Sequence, residues 1–156
     1  MGLLTDYFRA ADQDAARALG SRENAGPLTP VPGAGPGTAT VDGVEAKGIE
    51  PVVVLGSLIS AITGEDHDED PALVWPDEES AAASDGPWVV ELPASTRDAL
   101  ASLDDERAPG VAERWATAEE LAGATGDDLH PFVTDLTALA RRAVAADEQL
   151  YCWMSL

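Results

Sequence analysis

QLYCWMSL, Gln149–Leu156, decides the fold. Leu150, Cys152 and Met154 alternate with Tyr151, Trp153 and Ser155, so an extended chain shows apolar groups on both faces. A strand of that kind belongs at the centre of a sheet covered on both sides. Just before it, Asp128–Ala146 carries Leu129, Phe132, Val133, Leu136, Leu139, Ala140 and Ala143 at helical spacing. Arg141 and Arg142 lie towards the end of that helix, where its dipole favours cations.

At the other end, Leu3–Arg9 reads as a short strand carrying Tyr7 and Phe8. Asp12 is placed to cap a helix containing Ala15, Ala16 and Leu19, with Gly20 as its stop. The first and last strands are expected to be neighbours. Residues 24–40, NAGPLTPVPGAGPGTAT, read as a Pro/Gly-rich loop. Its GAGPG has neither the spacing nor the following helix of a phosphate-binding turn. Val41–Lys47 reads as a short strand or turn. Pro51–Thr63 predicts a core helix, apolar nearly all round, with Gly64 past its end, although the Val52–Val54 run also suits a strand.

Leu73–Trp75 and Trp88–Leu92 are short apolar runs that can pair across the acidic loop 76–87. Ser95–Leu103 and Pro109–Leu121 predict two more helices, the first with Ser95 and Asp98 in capping-box spacing. The order of elements gives an α+β fold over residues 1–156 as a single domain. Its small, mostly antiparallel sheet includes the N- and C-terminal strands and is packed by about five helices.

Composition bears on partners. Twenty-nine acids face nine bases, a net charge of −20. That field repels nucleic acid and anionic membrane surfaces and attracts a basic protein or a cation. Charge of this sign also serves solubility alone. The single cysteine, Cys152, forms no intrachain disulfide, and the N-terminal residues lack the basic start and apolar run of a signal peptide. The expected location is cytoplasmic. The longest apolar run, Pro51–Ile62, is short of the ~20 residues that span a bilayer.

The layout resembles that of the YfbM-like family of small bacterial proteins. MGLLTDYFRAADQDAARAL looks like that family's Met-Gly start, aromatic strand and short helix. WVVELPASTRDALASLD, VAERWATAEEL and DLTALARRAVAADEQLYCWMSL look like its later strand-and-helix step, polar helix, and long helix with closing strand. The resemblance covers the first 20 residues and the last 70 or so, and leaves out Ser21–Pro87. It implies no catalytic residues. It does imply a role as an immunity protein that blocks a toxin.

The stretch that looks most like chemistry is TGEDHDEDP, Thr63–Pro71. Asp66, Asp68 and Asp70 match positions 1, 3 and 5 of a calcium loop. Position 6 must be Gly for the sharp turn, and here it is Pro71. What stays open at 65–70 is weak divalent-cation binding or a solvated loop. A zinc site has only His67, His130 and Cys152 to draw on, and these are scattered. Cys152 sits in an apolar strand under a negative field, the setting of an inert thiol rather than a nucleophile. The acid runs Asp104–Asp105–Glu106, Glu119–Glu120 and Asp127–Asp128 are adjacent residues, which do not face each other on a helix. Glu91 within WVVEL either points to solvent or is partly buried beside an arginine.

The regional signal is the strongest. Gly48–Thr96 has eleven acids and no Lys or Arg, and Gly64–Gly86 holds nine of them around Trp75. The expected function is a non-enzymatic acidic protein-binding domain, with an immunity protein or inhibitor of a basic partner as its narrower form. Its partner-binding residues would be Glu65, Asp66, Asp68, Glu69, Asp70, Trp75, Asp77, Glu78 and Glu79. No catalytic residue, metal or cofactor is assigned. The alternatives are an enzyme with an unrecognised carboxylate site and a DNA-mimic inhibitor.

Overall fold

In the computed structural model, which describes residues 2–21, 26–28 and 41–156, five strands form one antiparallel sheet. They are β1 (Leu4–Ala10), β2 (Gly43–Glu45), β3 (Ala72–Trp75), β4 (Trp88–Glu91) and β5 (Gln149–Ser155), in the order β2-β1-β5-β4-β3. β5 is the middle strand. It pairs with β1 along its whole length, from Leu4 opposite Ser155 to Ala10 opposite Gln149. The fold is therefore α+β, with the two terminal strands side by side as expected.

Helices cover both faces. They are α1 (Gln13–Gly20), α2 (Val53–Thr63), the short α3 (Glu78–Ala82), α4 (Ala94–Ser102), α5 (Ala108–Trp115) and α6 (Gly126–Ala145). The alternation of β5 divides the interior. Leu150 and Cys152 join Tyr7, Val90 and the apolar sides of α2, α4, α5 and α6. Tyr151 and Trp153 join Phe8, Val89 and Ala16 on the α1 side. Phe8 and Tyr151 are cross-strand partners whose rings stack at 5.8 Å, a pairing that adds roughly 0.5–1 kcal/mol to sheet stability.

Local rules explain most element ends. Asp12 caps α1, accepting from the Ala15 amide. Gly20 is the last residue of α1 and is needed for a different reason from the one the sequence suggests. A Cβ there would lie 2.1 Å from Val89 Cγ2, so glycine lets the helix close onto β4. Gly64 ends α2 in the left-handed conformation, φ 77°. α2 starts at Val53 rather than Pro51, and Glu50 accepts hydrogen bonds from the Val52 and Val54 amides. Its first turn leaves Val52 and Val53 exposed, while the rest is core. Val41–Lys47 resolves into β2. The 24–40 segment lies outside the described residues except for Gly26–Leu28.

Two expectations are corrected. Ser95 does not cap α4, whose N-cap position is Pro93 without a side-chain bond. The capping box belongs to α6, where Thr125 and Asp128 satisfy each other's backbone amides. Thr125→Ala is expected to cost about 1 kcal/mol in urea denaturation and Ser95→Ala less than about 0.5 kcal/mol; equal costs would contradict this assignment. Second, α5 stops at Trp115 and is followed by a 3-10 turn at Glu119–Leu121. Thr117 Oγ1 donates to the Arg114 carbonyl at 2.7 Å, drawing the chain off the helix axis.

The α6–β5 turn places the central strand. The Glu148 amide donates to the Ala143 carbonyl and the Asp147 amide to the Val144 carbonyl, with Asp147 at φ 56°. This pair of bonds is a Schellman motif in which aspartate stands where glycine is usual. No helix among the described residues is long and apolar enough to cross a membrane.

Candidate functional site

α2 delivers the chain at Gly64 straight into Glu65–Asp70. The sequence here has no hydrophobic period, so it runs without regular structure and its five carboxylates are exposed. His67 holds the loop to the body. Its Nε2 is 3.2 Å from the Oγ1 of buried Thr96, and the ring lies over Gly56 of α2. The histidine that suggests a metal site is therefore the peg of the loop, and its acidic neighbours are exposed. Residues that would lie in the second half of a calcium loop instead form β3, Ala72–Trp75. Among the described residues no group of three or more His, Cys, Asp or Glu side chains is arranged to hold a metal ion.

β3 is an edge strand with an irregularity between Leu73 and Trp75 in its pairing with β4. The bulge brings both Val74 and Trp75 to the α1 side, where Trp75 packs half-buried against the smaller apolar cluster. Trp75 is thus only partly available as an anchor. The 76–87 connection is not a plain loop. Asp77 caps α3, accepting from the Ser80 amide and hydroxyl, and these bonds hold its carboxyl below the usual range. The signal was present: an Asp cap, acids in the first turn and then alanines. Trp88 closes the segment by donating its indole N–H to the Ala81 carbonyl at 3.2 Å. Glu78 and Glu79 stay exposed.

The cations explain why this surface keeps its charge. Each of the seven arginines among the described residues is engaged within the fold. Arg107 and Arg114 donate to the Ile62 and Ala61 carbonyls at the end of α2, at 2.8 and 2.9 Å. Arg141 does the same for α4 at Ala101 and Leu103. Such bonds satisfy carbonyls that a helix leaves unpaired. Arg97 reaches the Glu148 carbonyl, and Arg17 reaches Asp14 and the Val74 carbonyl. Arg9 pairs with Asp42 and Glu148, and Arg142 grips Asp42 through two nitrogens at 2.7 and 2.8 Å.

The hydrogen bonds from Arg142 and Arg9 hold the Asp42 carboxyl below its ordinary value of 3.8. A depressed folded-state value means that this stabilisation is present above the unfolded value. It is lost as pH falls through the folded one. Asp42→Asn is therefore expected to reduce stability at neutral pH and to flatten the acid limb of the stability curve below about pH 4. Denaturation midpoints from pH 2 to 7 check this; parallel curves for the two proteins would refute it.

No family model matches the chain, and neither does any curated protein or solved structure. Chemistry must be judged from its own residues. Cys152 is completely buried, and burial pushes its thiol well above the ordinary range. The adjacent acid pairs do not converge. Asp104 accepts from the Arg107 amide, Asp105 faces Arg141, Asp128 caps α6, and Glu119 and Glu120 are exposed on the 3-10 turn. Glu91 is half-buried, as one of its two readings expects, but its partner is no arginine: the Tyr151 hydroxyl donates to Oε2 at 2.8 Å. Sequence reading missed that Glu91 shares a groove with Glu69 and Asp70, because only folding brings the end of β4 beside the 65–70 loop.

Proposed function

We propose that this chain is a non-enzymatic, acidic protein-binding domain whose partner is basic. The observation that carries the reading is the division of labour between charges. The described arginines are spent inside the fold. The side chains of Glu65, Asp66, Asp68, Glu69, Asp70, Glu78 and Glu79 are exposed and have no ion pair among the described residues. A one-signed surface of this kind speeds encounter with a basic protein and disfavours acidic ones. Asp77 contributes charge while capping α3, and Trp75 contributes its exposed edge. The narrower role, an immunity protein that blocks a basic toxin, rests on the YfbM-like layout and belongs to the same proposal.

The test is a pull-down from the native host with the immobilised domain at low and at high salt. A basic protein retained at about 50 mM salt and released at about 500 mM supports the reading, since the Debye length then falls below about 5 Å. Retention of no basic protein at low salt overturns it.

A further inference from the structure

The groove beside β4 has a more definite chemistry than the open acidic loop. Its volume is about 320 Å³, and Glu69, Asp70, Glu91 and Gln149 line it together with apolar Ala72, Leu92, Pro93 and Ala94. Glu91 differs from the other acids here. It is half-buried on a strand, and the Tyr151 hydroxyl fixes its Oε2, while Oε1 has no partner among the described residues. Tyr151 itself is fully buried, so the pair is rigidly mounted. The cation nearest in sequence, Arg97, is committed to Asp98 and the Glu148 carbonyl. One feature opposes a cation: α4 begins at Ala94 and brings the positive end of its dipole to the groove. That amounts to roughly half a charge, against three carboxylates.

We propose that this groove is the socket for one arginine side chain of the basic partner. Glu91 receives the guanidinium through Oε1, the rim acids Glu69 and Asp70 add field, and the apolar wall takes the aliphatic stem. The proposal rests on the acidic-binding reading and names the point of contact within it.

The probe is N-acetyl-arginine amide, with N-acetyl-citrulline amide as its uncharged counterpart. Amide chemical shifts are followed by NMR at low ionic strength and pH 7. Saturable shifts confined to Glu69, Asp70, Ala72, Glu91, Leu92, Ala94 and Gln149 are expected with arginine and not with citrulline. Glu91→Gln keeps an acceptor for Tyr151 and is expected to weaken binding about tenfold, the size of one charge-assisted hydrogen bond. Asp70→Asn, on an exposed loop, is expected to weaken it less. Shifts spread evenly over all exposed acids, or unchanged binding by Glu91→Gln, overturn the socket. Nona-arginine separates this failure from that of the wider reading. If it binds in a salt-sensitive way but shifts map elsewhere, the socket falls and the acidic surface stands. If it does not bind at low salt, both fall.

Discussion

Trp115→Ala is expected to lower the unfolding free energy by about 3–5 kcal/mol, the usual cost of truncating a buried large aromatic residue. Trp115 is 1% exposed. Its ring stacks on Phe132 of α6 at 5.8 Å, and its indole N–H donates to the Val54 carbonyl and Ser57 Oγ of α2, each at 3.0 Å. One side chain thus joins three helices, and truncation leaves a cavity at their meeting point. For a domain of this size the expected fall in melting temperature is roughly 10 °C. Trp115→Phe keeps most of the apolar area and loses the N–H. Val54 O still accepts from Ser57 Oγ, so a smaller cost of about 1–2 kcal/mol is expected. Urea denaturation followed by circular dichroism measures both. A cost below about 1 kcal/mol for the alanine variant would show that α2 and α5 are not joined through this residue.

Trp115 also shows how far the sequence is readable. Its apolar spacing with Val111 marks the inward face of α5. That spacing continues to Ala118, although the helix does not, because a threonine hydroxyl redirects the chain. β5 is the opposite case. Its two apolar faces require a central strand between two layers, and no later contact changes that. The same holds for α6, whose twenty residues keep one apolar stripe despite Pro131. What the sequence does not reveal is long-range pairing of polar groups. Arg107 and Arg114 meet carbonyls 45 and 53 residues away, and Tyr151 meets Glu91 at a separation of 60. No period or spacing encodes such partners. The acidic region was visible from composition, but the role of His67 was not, since Thr96 comes near it only when α4 packs against α2.

Neutralising the loop with Glu65→Gln, Asp66→Asn, Asp68→Asn, Glu69→Gln and Asp70→Asn is expected to weaken binding of nona-arginine at low salt by about 10- to 100-fold, mainly through a slower association rate. The five substitutions remove a quarter of the net charge of −20. They leave His67 and its bond to Thr96 in place, so the loop keeps its path. Stability is expected to move the other way. These carboxylates have no ion pairs to lose among the described residues, and repulsion within the loop falls, so the variant should be at least as stable as the parent. The combination separates two uses of negative charge. If the acids only keep the protein soluble, neutralisation raises stability and leaves peptide affinity within about twofold of the parent even at low salt. If they form a recognition surface, affinity falls while stability holds, and the loss shrinks as salt rises because the substituted charges are already screened in the parent. Isothermal titration at three salt concentrations, with thermal unfolding on the same samples, decides between them. A large loss of affinity that persists unchanged at high salt would contradict both, since it would mean that the loop acts by shape rather than by charge.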